Sequence, residues 1–171
     1  MLARFGVDAD GTDPSTLLLD PPVEGTPPPG TLATRQVLAS IPELDDVALG
    51  HGMVNGPPDA DGRVRRVPLT VLAGERAMPG FAVELARIAS GADGLSWEGD
   101  TLVMGHRRLP ADSEGRLMPR PGRLPDEATW SAVEVLSGAL KPGALAGKVV
   151  LVRLGADGTS DIVATPLQNE L

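Results

Sequence analysis

Glycine and proline punctuate this chain more heavily than any other feature. It holds 21 glycines and 17 prolines in 171 residues, and they fall between short apolar runs rather than in repeats. Proline fixes φ and removes a backbone donor, while glycine frees φ, so both interrupt regular elements. The pattern reads as loops joining short elements, not as disorder. The length suits one domain spanning 1–171. Residues 1–30 read as irregular and loop-rich, with five prolines and two glycines between Pro21 and Gly30.

Hydrophobic residues make up 42% of the chain, enough for a core, but aromatics make up only 2% and tyrosine is absent. Leu, Val and Ala must fill that core, with Trp97, Trp130, Phe5 and Phe81 as the only large rings. Stacking platforms for single-stranded nucleic acid are nearly excluded. A net charge of −8 argues the same way, because it repels phosphates. No cysteine is present, which removes disulfides, thiolate zinc sites and cysteine nucleophiles. No apolar run approaches the roughly 20 residues of a membrane span, and no signal peptide opens the chain. The sequence is therefore read as cytosolic or as a piece of something larger.

The elements follow from period and punctuation. Thr16–Leu19 predicts a short strand, and Leu32–Ile41 a modest helix. Residues 47–55 and 64–72 predict two antiparallel strands joined by the turn in GPPDADGRVRRVPL, positions 56–69. Pro79 suits the start of a helix in which Phe81, Leu85 and Ile88 form the apolar stripe, Glu84 and Arg87 face away, and Gly91 ends the run. Strands are expected at Thr101–Met104 and around Leu117. Ser131 with Glu134 has capping-box spacing, and Gly138 ends that short helix. Lys148–Leu154 reads as a buried central strand. The fold class is α/β or α+β, with one mixed β-sheet flanked by helices.

Asp59-Ala-Asp61-Gly62 begins like a calcium loop, as does the stretch from Asp8 to Asp13, but neither has the closing acid. A hairpin turn, which favours Asp-Gly for its tolerance of positive φ, explains the first stretch. Arg65 shares a strand face with Val67, Leu69 and Val71, so it needs Asp59, Asp61 or a bound anion as partner. Arg66 is expected to be solvated. His51 and His106 lack a second histidine at metal spacing. Neither a G-x-S-x-G elbow nor a phosphate loop occurs, so hydrolase chemistry at His51 or His106 is a minor alternative. In LVRLGADGTSD, positions 151–161, a strand end precedes a glycine-rich turn, a place where open α/β sheets bind ligands.

The ordered set of segments resembles the type-two CHASE domain, a sensor module of bacterial adenylate cyclases, histidine kinases and other receptors. The resemblance rests on Gly52-Met53-Val54-Asn55, then Asp59 to Leu69, then Pro79-Gly80-Phe81-Ala82-Val83-Glu84-Leu85-Ala86. Ser131 to Gly138, Leu145 to Val152, and Gly158, Asp161, Thr165 and Pro166 continue it, over about 31–167. The family's opening D-x-x-S strand and helix are not evident, and Arg153 stands where a glycine is usual. The chain stops before the segment that leads into membrane helices, so it is read as an excised or divergent sensor domain. The resemblance implies a non-catalytic extracytoplasmic sensor, membrane-tethered in the full-length receptor, with no cofactor and no metal residue. It implies a small-molecule or protein signal, with homodimerisation open to it. A ligand is expected near Asn55, Asp61, Arg65, Gly158, Ser160 and Asp161. The rival reading is a protein-interaction or dimerisation module of an envelope protein.

Overall fold

The computed structural model describes residues 1–8, 10–17, 23–120 and 129–152. The chain opens on a strand, β1 (Leu2–Val7), where the turn-rich letters predict irregular chain. Its alternation is clean: Arg4 and Gly6 are buried, Ala3 and Phe5 exposed. A 3-10 turn at Pro14–Thr16 follows, capped by the Asp13 carboxylate, which accepts from the Ser15 amide at 2.9 Å. It takes the start of the segment expected as a strand at Thr16–Leu19.

The predicted helix at 32–41 is instead two strands, β3 (Ala33–Thr34) and β4 (Gln36–Leu38), after the short β2 (Val23–Glu24). Adjacent Val37 and Leu38 fall on opposite faces, the first fully buried and the second 49% exposed. That is strand alternation, in which successive side chains point to opposite faces. A four-residue helix, α1 (Pro42–Asp45), and the strand β5 (His51–Met53) complete this region.

Central β1 pairs antiparallel with β4 and parallel with β5. The expected pairing of 47–55 with 64–72 does not form. The latter segment supplies β6 (Val67–Pro68) and β7 (Thr70–Ala73). Strand β7 pairs antiparallel with β8 (Arg76–Pro79) and parallel with β3. A two-residue turn with Gly74 at φ 60° joins β7 to β8. So short a connection closes at less entropic cost than the long loop back to β5.

Helix α2 (Phe81–Ser90) starts from Gly80, with Pro79 ending β8, and stops at Gly91 in the left-handed region as expected. Its buried face is not the predicted stripe. Val83, Glu84 and Arg87 point inward, while Phe81, Leu85 and Ile88 are half-buried. Burial of the charges is tolerated because they pair: Arg87 donates to both Glu84 carboxylate oxygens at 2.8 Å. A Cβ at Gly50, next to β5, would meet the Glu84 carboxylate.

The strands β9 (Leu95–Glu98), β10 (Thr101–Met104) and β11 (Arg107–Pro110) form a meander with β2 on its edge, and β12 (Arg116–Leu117) pairs with β6. Strands at Thr101–Met104 and Leu117 are as predicted. So is helix α3 (Ala132–Leu136), with the reciprocal Ser131–Glu134 capping box. Residues 148–152 form no strand, against expectation, and Val149–Val152 are exposed. No described strand lies alongside to take their backbone hydrogen bonds. Arg153 and Leu154, from the same expected strand, lie outside the described residues.

The fold is α+β and mostly strand, with four small sheets among the described residues in place of one sheet. Two buried clusters hold it. One gathers Leu17, Val37, Met53, Val71, Ala73 and Met78; the other gathers Leu69, Val83, Leu95, Trp97, Leu102 and Met104. Three methionines take the volume that phenylalanine fills elsewhere, while Phe5 is 47% exposed.

Candidate functional site

The turn in the quoted stretch is built as its letters require. Asp59 N–H donates to the Arg63 carbonyl at 2.8 Å, Gly62 N–H to the Asp59 carbonyl at 2.8 Å, and Gly62 sits at φ 79°. The same construction recurs at residues 112–116. Asp112 N–H donates to the Arg116 carbonyl at 3.0 Å, Gly115 N–H to the Asp112 carbonyl at 2.9 Å, and Gly115 sits at φ 68°. Both turns spell Asp-x-acid-Gly-Arg: Asp59-Ala60-Asp61-Gly62-Arg63 and Asp112-Ser113-Glu114-Gly115-Arg116. The β6–β12 ladder, with Val67 opposite Leu117, sets them side by side.

Their side chains meet around an open basin of about 600 Å³, lined by Pro58, Asp59, Ala60, Asp61, Arg65, Arg66, Glu114 and Arg116. Arg65 donates to Asp61 at 2.8 and 2.5 Å and to Asp59 at 3.1 Å, which realises the expected pinning of the turn. Arg66, expected to be solvated, donates to Asp59 at 2.9 Å and reaches Asp112 of the second turn at 3.8 Å. Arg116 pairs with Asp112 at 3.2 Å and with Glu114.

These contacts fix the charge states. Hydrogen bonds from Arg65 hold the Asp61 carboxyl well below the usual carboxylate range. Asp61, then Asp59, raise the Arg65 guanidinium above its ordinary value. Burial pushes Asp112 up, but the amides of Arg116 and Glu114 and the Arg116 charge outweigh it, and its carboxyl is lowered. Asp61, Arg65 and Asp112 are therefore held in their charged forms near neutral pH.

Of the residues singled out from sequence, Asp61 and Arg65 come together here. Asn55 does not join them. Its amide clasps the backbone of Gly6, accepting from the N–H at 2.7 Å and donating to the carbonyl at 3.1 Å. That ties the end of β5 to β1. Gly158, Ser160 and Asp161 lie outside the described residues. Arg66 was expected to be solvated, and Asp112, Glu114 and Arg116 were not singled out, although the repeated Asp-x-acid-Gly-Arg lettering marks those three.

A second charged cluster lies inside. Arg4 is 1% exposed and donates to Asp45 Oδ2 at 2.5 Å. His51, 8% exposed, holds Nε2 at 3.0 Å from Asp45 Oδ1, outside hydrogen-bond geometry. His106 is exposed in the turn between β10 and β11. No three acidic or histidine side chains are gathered to hold a metal ion among the described residues.

Comparison with family sequences matches residues 11–171 to the CHASE2 domain. The chain belongs to the CHASE2 family. CHASE2 domains are extracellular sensor modules without catalytic activity of their own. Comparison with curated proteins and with solved structures gave no match. Among the described residues of this CHASE2 domain, no helix is long and apolar enough to cross a membrane. The twin-turn basin falls well within the matched span.

Proposed function

We propose that this CHASE2 domain is the extracytoplasmic input module of a bacterial transmembrane receptor, of the adenylate cyclase or histidine kinase kind. We place its ligand site in the basin between the two Asp-x-acid-Gly-Arg turns. One observation carries the reading: three guanidinium groups and three carboxylates line one solvent-open basin where the two turns adjoin, with Asp112 pairing to Arg66 and Arg116 beside it. A small charged ligand binds there by exchanging partners, its own charge replacing one arm of an ion pair. Arg66 spans both turns, so capturing it changes how the turns sit against each other. A ligand shifts such an equilibrium only through unequal affinity for the two arrangements. Thermal melting with phosphate, malonate, glutamate and calcium chloride tests this. A shift with one probe that disappears in Arg65→Ala supports the site; no shift with any of the four counts against it.

One feature favours a second reading, a dimerisation module. Leu38, Phe5 and Val54 line up across β4, β1 and the end of β5, at 49%, 47% and 45% exposure. Their strands' other face is core. An apolar row of this kind marks an interaction surface. Sedimentation of the chain beside Phe5→Glu separates the readings: a dimer lost in the variant supports this one, and a monomer in both removes it.

A further inference from the structure

The polar cluster behind β5 has a feature that a purely structural cluster lacks. The ring of His51 is tied to the Asp45 backbone, yet its Nε2 and the buried Asp45 Oδ1 stand 3.0 Å apart, and neither of those two atoms has a hydrogen-bond partner. Buried polar atoms are nearly always satisfied, and those that are not call for a reason. We propose that His51 is a proton-binding site, a second input through which external acid rearranges α1.

The argument starts at Asp45. Its carboxylate faces two suitors: Arg4 of β1 holds Oδ2, and His51 of β5 approaches Oδ1. A neutral imidazole presenting a lone pair to a carboxylate oxygen gains nothing. Once protonated, Nε2 donates, and the pair becomes a charge-assisted hydrogen bond after a small rotation. The incoming proton sits on Nε2, and no other bond is made or broken. Arg4 and His51 then compete for one carboxylate.

The other charges facing this ring oppose its protonation or leave it unchanged. The amino group of Met1 and the Arg4 guanidinium both repel a proton on His51, with Arg76 of β8 adding to the field at Arg4. Glu84 of α2 packs against Gly50, but its charge is taken by Arg87. Burial first, then the Arg4 charge, hold the His51 imidazole below its ordinary value, with Asp45 pulling the other way. The neutral imidazole is therefore favoured at His51 near pH 7, and a fall in external pH loads it.

Asp45 is also the lever. It is the last residue of α1, a helix of four residues with no side-chain cap at its start and no fully buried residue. Beside it Ile41, Leu44, Val47 and Leu49 are exposed. So little else anchors α1 that a change in Asp45's partners moves it, and with it an apolar surface. The biological sense rests on the sensor reading, but the chemistry does not involve the basin. A failed basin titration leaves it standing, and its own failure leaves the basin standing.

The sign follows from linkage. A folded-state value below the unfolded one gives stability that is complete above pH of about 6.5 and is lost as pH falls through the folded value. Two histidines make the test clean. Urea midpoints of the full chain between pH 8 and pH 5 should fall for the parent and for His106→Gln, and should fall less for His51→Gln. One buried site accounts for up to about a tenfold change in the folding constant per pH unit. A pH profile of His51→Gln equal to the parent's overturns the proposal. Imidazole NMR titration of the parent needs no variant that folds. His51 titrating below the ordinary histidine value, with the amides of Leu44, Asp45 and Asp46 moving at the same midpoint, supports it. A His51 midpoint at the ordinary value, or α1 amides that stay still, overturns it.

Discussion

The two charged clusters of this domain use the same side chains under opposite conditions. In the basin, Asp61 keeps 51% of its side chain in water and Arg66 keeps 37%. Behind β5 and under α2, Arg4, Glu84 and Arg87 have 0%, 4% and 10%. Exposed pairs lose little when a partner is exchanged, because water covers the difference. A buried charge stripped of its partner has no such cover, and breaking the pair costs several kcal/mol. The basin is suited to trade contacts with a ligand, and the interior pairs are suited to hold α2 and β5 in register.

The sharpest way to break this contrast is Glu84→Ala. It leaves Arg87 buried with the Ala92 carbonyl but without its bidentate carboxylate. Urea unfolding should show a loss of about 3 kcal/mol; a loss under about 1 kcal/mol would erase the distinction between the clusters. Asn55→Ala comes next. Two backbone groups of Gly6 lose their partner, and about 1–2 kcal/mol should go with them. The same variant should bind the basin probes as the parent does, since Asn55 braces β1 and does not face the basin.

Twin glycines give a finer test. Both Gly62 and Gly115 hold positive φ, so alanine strains either turn by about 1 kcal/mol. A Cβ at Gly62 meets nothing, whereas at Gly115 it comes 2.6 Å from Thr31 Oγ1. Gly115→Ala should therefore lower the melting temperature more than Gly62→Ala. Arg65→Ala should have the smallest effect on melting in the absence of ligand, for Asp61 stays hydrated and Asp59 keeps Arg66 as partner. Equal or larger destabilisation than Gly115→Ala would mean the basin is a structural clasp.

Local chemistry was legible in the letters; distant pairing was not. The Asp-Gly turn, the Arg65 clasp, the Gly91 stop and the Ser131 capping box all depend on residues within a few positions of one another. Strand β1 was missed because its partners, β4 and β5, lie some thirty to fifty residues away, and its own six residues include Arg4 and Gly6. The 47–72 hairpin failed for the same reason: β5 finds β1, and β7 finds β8. On α2 the helix was legible and its face was not. Periodicity counts apolar letters, whereas here a paired Glu84–Arg87 is buried and Phe81 is only half covered. The second turn was readable by comparing 59–63 with 112–116, yet only the β6–β12 ladder shows that the two adjoin.

Amide chemical-shift mapping during titration with phosphate, malonate, glutamate and calcium chloride tests the central claim most directly. The expected result is that one of these probes moves the amides of 59–66 and 112–116 together, with one saturating midpoint. Shifts confined to a single turn, or centred away from both, would contradict a ligand site between them.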